Sequence, residues 1–436
     1  MSEKFQTPKG TRDFLPEEMI KRDYIIDILK KTFENFGFDP FETPAFENFE
    51  LLARKGGGGD TIKDQIYYFK DKSDRELGLR FDLTVPMTRV VANNPQLPKP
   101  FKRYCIGRVW RYEEIRKDRF REFWQCDVDT VGSDSMQADA EILAVAVKAL
   151  ENLGFKKFVI NLNNRKILSG LIELIQVPKE KRFDIFRAID KLDKFGKESV
   201  KDELKTIGLS DEQISKLLKF VTLEGKPKSV LEDGERILKQ TKIGLEGLKE
   251  LKEIVDISKN YGFYDRIVID FSLARGLDYY TGPIFEVIDT SGKNIGSLAG
   301  GGRYDELIEL FGGRPTSATG ISLGIERVTE VMNQEKMFDL PKTKVKVFVV
   351  NVNDRVKDET IKVTEKLREN NIPCQVDLMN RNLVKQLQYA DSLGIPYAVI
   401  IGPEEIKKKI VKFRDMKKRK EVGMKLEDVI RKLKSI

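Results

Sequence analysis

Histidine is absent from all 436 residues of the chain. That one absence excludes Ser-His-Asp triads, Cys-His dyads, HExxH zinc sites and any histidine general base. Whatever chemistry the protein performs must run on carboxylates, arginines, lysines, tyrosines or bound Mg²⁺. Cysteine is scarce too: Cys105, Cys126 and Cys374 lie far apart with no CxxC spacing. Neither a zinc ribbon nor a disulfide framework is expected, and a reducing, cytoplasmic setting fits. The opening MSEKFQTPKG lacks an apolar h-region, and no run of eighteen apolar residues occurs. Secretion and membrane spanning are therefore not expected.

What is present is charge. Charged residues make up 34% and apolar residues 40%, and Lys+Arg exceed Asp+Glu by 78 to 70 for a net +8. A mild basic excess suits a polyanionic partner, although a lysine-rich surface shaped by composition or heat tolerance would give the same number. The length exceeds what one compact core accommodates, so several domains are expected.

Residues 17–36 carry apolar side chains at three-to-four spacing and read as a helix that Gly37 ends. GFDPFETPAF follows as a short strand closed by Pro44. Two strand-like runs, RYCIGRVWRY and REFWQCDVDTV, flank the charged EEIRKDRF and predict a long antiparallel hairpin with a basic tip. A helix over Asp139–Leu153 and the strand FKKFVINL come next. Residues 170–258 turn rich in Lys, Glu, Leu and Ile and read as an inserted helical module. Strand signals return at Arg266–Phe271, Ile284–Asp289 and Asn294–Ala299, followed by glycines 300–302 and a helix at Tyr304–Leu310. After residue 341 the pattern alternates strand and helix, as in an α/β unit that folds alone.

The densest chemistry lies on the hairpin, where Arg108, Arg111, Glu113, Arg116, Arg119 and Arg121 mix with Trp110, Phe120, Phe123 and Trp124. A solvated charged face is one reading. The other is nucleotide binding, in which an aromatic stacks on a purine and arginines clamp phosphate. Arg111 and Glu113 have the same strand parity and so share a face.

GRVWRYEEIRKDRFREFWQ closely resembles motif 2 of the class II aminoacyl-tRNA synthetases. GISLGIER (320–327) resembles motif 3, and the helix and strand ending at Pro44 resemble motif 1. LARGLDYYTG (273–282) and AGGGRYDELI (299–308) look like the two signature motifs of the histidyl-tRNA synthetases. PKGTRD (8–13) and LGLRFDLTVP (77–86) are typical as well, the latter in its archaeal and eukaryotic form. On these stretches, in order along nearly the whole chain, the sequence is identified as a member of that family.

The resemblance implies residue roles. Arg111 would bind the α-phosphate and the histidine carboxylate region, and Glu113 would accept from the adenine amino group. Arg327 would hold the γ-phosphate, and Arg119 would assist at the pyrophosphate. Arg275 would meet the α-phosphate where other class II enzymes use a metal ion. Asp82 and Thr84 would take the α-amino group, with Gln125 near the carboxylate; with no histidine to serve as base, our own expectation for the transfer step is that Gln125 orients the attacking hydroxyl while a phosphate oxygen of the adenylate takes the proton. Asp129 and Tyr280 would read the imidazole, helped by Tyr304, with Tyr279 beside them. A carboxylate at one ring nitrogen and a phenol at the other would complement a neutral imidazole. Such a site rejects side chains lacking those groups by roughly 10⁴ or more, so no editing domain is expected. ATP with Mg²⁺ is implied and zinc is not; L-histidine, tRNA(His) and a second copy in a homodimer are the implied partners.

Alternatives stay open at several positions. Asp82 could simply cap the next turn, and Tyr279, Tyr280 and Tyr304 could be core. Gly300–Gly302 could be a tight turn before the helix or a close approach of backbone to substrate. Tyr112 and Trp124 stand where many relatives carry histidine, and the glycines at 56–59 suggest either a loop near the tRNA acceptor end or a plain surface turn. Lys407–Lys420 could contact phosphates or block edge-to-edge aggregation. A regulatory, non-charging relative or a synthetase for another amino acid are the rival readings. The expected architecture is an α+β catalytic core, a class II antiparallel sheet with flanking helices. It comprises residues 1–169 and 259–335, with the helical insertion at 170–258. A C-terminal α/β anticodon-binding domain follows at 342–436.

Overall fold

The computed structural model describes residues 5–54, 64–115, 119–274, 279–292 and 296–435, and not the side chains of Lys179 and Asp193. Arg275, Arg116 and the glycines 56–59 lie outside the described residues.

The chain forms two compact units. One joins Met1–Arg12 to Ile25–Met337, and the other joins Asp13–Tyr24 to Phe338–Ile436. The first helix, α1 (Pro16–Asn35), thus contributes to both.

The strands of the first unit are β1 (Asp39–Pro40), β2 (Phe46–Asn48), β3 (Tyr68–Lys70) and β4 (Glu76–Leu79), then β5 (Phe101–Trp110) and β6 (Glu122–Val131). They continue with β7 (Phe158–Asn164), β8 (Ile267–Ile269), β9 (Pro283–Asp289), β10 (Ser297–Arg303) and β11 (Ala318–Gly324). Eight of them make one sheet in the order β1-β5-β6-β11-β10-β9-β7-β8. Its interior pairs are antiparallel, while β1–β5 and β7–β8 at the two edges are parallel. β2, β4 and β3 form a separate small antiparallel sheet.

Residues directly opposite each other across antiparallel strands share a face, and the two faces of the large sheet differ in chemistry. Tyr104, Val128, Ile321, Phe285 and Leu162 stand in one cross-strand row and are all buried. This is the core face. Helix α2 (Phe49–Ala53) and helix α3 (Thr84–Asn93) precede the hairpin. Helix α4 (Met136–Asn152) packs against β11, its N-terminus capped by Ser135, whose hydroxyl accepts from the Gln137 N–H. Capping satisfies one of the orphan donors of a helix start. Six helices run from Arg165 to Tyr261, and the last of them packs on the first and on α4.

The hairpin expected over residues 100–132 is present as β5 and β6. Two expectations fail further on. Glycines 300–302 are not a turn: β10 runs straight through them, and the helix expected at Tyr304–Leu310 covers only Leu307–Leu310. The reason is close packing. A Cβ at Gly301 would sit 2.0 Å from the Gly320 carbonyl oxygen of β11, so no other residue fits that rung.

The second unit carries β12 (Val347–Asn351), β13 (Cys374–Val376), β14 (Tyr397–Ile401), β15 (Val411–Asp415) and β16 (Lys420–Met424) in the order β13-β12-β14-β15-β16. The first three are parallel and joined through helices, and the last two extend the sheet as a hairpin. Val347, Val349, Val399 and Phe413 anchor one side of its core, and Phe348, Val350 and Ile400 the other. Burial on both faces explains why KVFVVNV and YAVIIG are apolar without alternation.

Candidate active site

The face of the large sheet opposite its core is polar and stepped with small residues. Arg103, Asp129, Gly320 and Gly302 form one cross-strand row over β5, β6, β11 and β10. Cys105, Asp127, Ser322 and Gly300 form the next, and Gly107, Gln125 and Gly324 a third. Strand parity alone brings Gln125, Asp127 and Asp129 to one side. The glycines lower the floor beside them.

Each carboxylate here is held by one atom and open at another. Asp129 Oδ1 accepts from the Tyr304 hydroxyl. Its Oδ2 lies 2.6 Å from Nη2 of the fully buried Arg103, yet no N–H is aimed at it. Asp82 Oδ1 accepts from the Val85 N–H at 3.0 Å, so the capping alternative is realised, but Oδ2 is buried without a partner. Asp127 Oδ1 is likewise buried and unpartnered. Gln125 donates from Nε2 to the Ser322 hydroxyl at 2.9 Å and leaves Oε1 open. Thr84 opens α3 and is buried beside Asp82.

Desolvation dominates the electrostatics. Burial pushes Asp82 up to about 6 against the pull of the Val85 N–H, Arg111 and Arg103. Burial likewise pushes Asp127 up to about 7, with Arg103 opposing. Asp129 is raised by burial and restrained by Arg103 and the Tyr304 hydroxyl. Three buried carboxylates around one fully buried guanidinium ask for a cationic, N–H-rich ligand.

Three tyrosines form the wall. Tyr279 stacks edge-on against Tyr280 at 4.8 Å and against Tyr304 at 5.9 Å. Tyr279 sits in the apolar cluster with Met87, Val91 and Leu307, so its core character is real, and it meets the pocket through those two neighbours. The two signature stretches are laced together. The Thr281 N–H donates to the Arg303 carbonyl at 2.9 Å, and the Asp305 N–H donates to the Thr281 hydroxyl at 3.0 Å.

The hairpin supplies the arginines. Arg111 donates from Nε to the Phe81 carbonyl at 2.9 Å, with its guanidinium 5.3 Å from the Phe123 ring centre. Glu113 and Arg119 are brought together as an ion pair. Arg327 donates to the Ser297 carbonyl at 2.9 Å, and its neighbour Glu326 accepts from the Trp124 N–H at 3.1 Å.

Sequence reasoning passed over Arg103, Asp127 and Ser322. Parity in EFWQCDVDTV would have found Asp127, which alternates with Gln125 and Asp129; nothing local marks Arg103 as the buried cation.

Gly320 gives a direct test of the floor. A Cβ there would sit 2.0 Å from Asp129 Oδ1. We expect Gly320→Ala to dislodge Asp129 from Tyr304 and weaken binding of the amino-acid ligand at least about tenfold, the loss of one charge-assisted hydrogen bond. Isothermal titration calorimetry reads this directly. Unchanged affinity would show that Asp129 is not part of the ligand site.

The model of the histidyl-tRNA synthetase family matches residues 10–328, and an anticodon-binding domain model matches 346–436. The histidine–tRNA ligase of Pyrococcus horikoshii is 38% identical over 98% of both chains. That of Aeropyrum pernix is 42% identical over 91% of this chain and 90% of its own. Among solved structures, the histidyl-tRNA synthetase of Nostoc sp. superposes with a TM-score of 0.86 at 32% identity, each chain fully covered.

Proposed function

The chain belongs to the family of histidyl-tRNA synthetases, and from that premise we propose how its own residues carry out the family's reaction. The enzyme is a histidine–tRNA ligase. It activates L-histidine with ATP to histidyl-adenylate, releasing pyrophosphate, and transfers the histidyl group to the 3′-hydroxyl of the terminal adenosine of tRNA(His).

The observation that carries the residue assignment is the set of buried acceptors without a hydrogen-bond donor, Asp82 Oδ2, Asp127 Oδ1 and Gln125 Oε1, next to Asp129, whose Oδ2 is ion-paired to Arg103. Left dry they destabilise the protein; an amino acid with an α-ammonium and an imidazole N–H satisfies them. In our reading the ammonium meets Asp82 beside Thr84. The ring reaches Asp129 at the tyrosine wall of Tyr279, Tyr280 and Tyr304. Gln125 stands between them, near the substrate carboxylate.

Attack of that carboxylate on the α-phosphorus builds negative charge on the equatorial phosphate oxygens. Arg111 answers it as a fixed cation, because its Nε is already committed to the Phe81 carbonyl and its guanidinium does not reorganise during the step. Arg275 carries its α-phosphate role by resemblance. Mg²⁺ brought in with ATP would supply neutralisation of the phosphate charge; Arg327 meets the γ-phosphate, and Arg119 turns from Glu113 to the pyrophosphate as adenine takes its place at that glutamate. In the transfer step the open Gln125 Oε1 accepts from the 3′-hydroxyl, and a phosphate oxygen of the adenylate takes the proton.

The second unit holds the anticodon-binding domain, and the basic hairpin of β15 and β16 is its phosphate-facing surface in our proposal. We further propose a homodimer, supported by the motif 1 resemblance and by β1 at the open edge of the large sheet. No helix among the described residues is long and apolar enough to cross a membrane; we propose a cytoplasmic enzyme.

The test is ATP–pyrophosphate exchange with each of the twenty amino acids. Exchange with histidine alone is the expected result. Exchange with another amino acid, or with none in folded protein, would remove the assignment of this pocket.

A further inference from the structure

The turn at Pro8–Thr11 takes no part in the assignment above, yet it lies across the hairpin that carries the arginines. The Thr11 N–H donates to the Pro8 carbonyl at 3.0 Å, and the Thr11 hydroxyl to the same oxygen at 2.7 Å. Within the turn Gly10 has φ +87°, in the left-handed region that favours glycine. Its carbonyl accepts from the N–H of Arg121 at 2.9 Å and from that of Glu122 at 3.4 Å. The turn is thus fastened to the returning leg of the β5–β6 hairpin. The next residue but one adds a contact, with the Arg12 guanidinium 4.4 Å from the centre of the Phe120 ring.

Gly10 also meets a second demand. A Cβ there would sit 2.7 Å from Cγ of Arg121, 2.8 Å from its Cδ and 2.9 Å from its Cβ. Those atoms are the root of the side chain, so turning its far end relieves nothing. The stem of Arg121 needs the bare backbone of Gly10 beneath it.

Arg121 carries this anchorage across to the outgoing leg. Its carbonyl accepts from the Arg111 N–H at 2.9 Å. Its guanidinium lies 3.7 Å from the centre of the Tyr112 ring, and its Nε donates to the Glu113 carbonyl at 3.2 Å. Tyr112 is fixed from the other side, because its N–H donates to the Gln65 carbonyl at 2.7 Å and its ring meets Tyr67 edge-on. β5 ends at Trp110, so Glu113 stands beyond the ladder. Two bonds hold its backbone instead: the one from Arg121, and its own N–H donating to the Arg111 carbonyl at 2.8 Å.

We propose that Arg121, seated on Gly10, is a positioning residue that aims Glu113 at the adenine amino group, so that the N-terminal turn sets the preference for ATP. The proposal rests on the assignment of Glu113 to adenine and adds to it the parts that aim it. The physical reason is preorganisation. A carboxylate on a loose loop spends binding energy on its own ordering, whereas one already fixed does not. The ring of a nucleotide lacking the amino group gains nothing from that fixing, and this separates aiming from mere support of the fold.

The experiment is pyrophosphate exchange by the full-length enzyme at saturating histidine, with ATP compared against purine riboside 5′-triphosphate, which lacks the 6-amino group. The wild type should show a KM for ATP at least about tenfold lower, the value of one hydrogen bond to a charged acceptor. Gly10→Ala should raise the KM for ATP towards that of the analogue. The KM of the analogue and the KM for histidine should stay nearly unchanged. Arg121→Met keeps the stem over Gly10 but cannot donate to the Glu113 carbonyl, and should give the same pattern. It leaves the turn untouched, so it decides the matter alone if the glycine variant does not fold. An unchanged preference for ATP in either folded variant overturns the proposal, as does an equal loss for both nucleotides. A wild type that does not distinguish the two nucleotides would instead remove the assignment of Glu113 to adenine, and the proposal with it.

Discussion

Replacing Arg111 with glutamine lowers the kcat of histidine activation by about 10²–10³, the typical cost of one preorganised donor to a developing oxyanion. The size follows from how the side chain is held. Its Nε is spent on the Phe81 carbonyl and its plane rests over Phe123, so the guanidinium is in place before charge develops. Glutamine keeps some length and polarity but neither the charge nor the fork. Lysine restores charge without the planar, bidentate geometry and should recover only part of the loss. Because the contact strengthens in the transition state, kcat should fall more than the KM for histidine rises. Exchange kinetics at saturating ATP, with single-turnover adenylate formation, measure this. A glutamine variant within a few-fold of wild type would mean that Arg111 serves only the fold.

The second large effect is on stability and comes from the GRYD stretch. Arg303 is buried in an ion pair with Asp139, 164 residues away in sequence, with Nε to Oδ2 at 3.1 Å. It also donates to the carbonyls of Ser133 and Ser135 at 2.9 and 3.2 Å and to Asp305 at 3.2 Å. Asp305 in turn accepts from the Ala318 N–H at 3.1 Å. Arg303→Leu strands Asp139 as an uncompensated buried charge, at a cost of about 3–5 kcal/mol. Thermal and urea unfolding should register that directly. Adding Asp139→Leu removes the stranded charge and should return much of the stability. Activity should not return with it, because the strand that presents Tyr304 has lost its tether to the Ser133–Ser135 loop. Recovery of both together would show that the arginine has no hand in placing the tyrosine. A single variant as stable as wild type would refute the pair's contribution outright.

Much of this was legible beforehand, for reasons that differ by element. The β5–β6 hairpin showed itself because an alternating, aromatic-rich pattern on both sides of a charged tip has few other solutions. The C-terminal α/β unit did so through apolar strands at regular intervals. The glycine-rich stretch misled because glycine is locally a turn former. Its place inside β10 is set by a carbonyl on β11, which no local rule contains. Asp82 read as either a cap or a ligand group, and the structure shows one oxygen doing the first while the other stays open.

By itself the sequence determined the inventory. It had no imidazole of its own, arginines and aromatics at hairpin spacing, and two short signature stretches that, with three further motifs in order, resemble one family. Those properties reside in residue types and local spacing, which survive without coordinates. Only the tertiary structure decided which groups are starved of partners. Burial is a property of everything packed around a residue, so the raised Asp127, the fully buried Arg103 and the union of Arg303 with Asp139 emerge when distant strands close on one another.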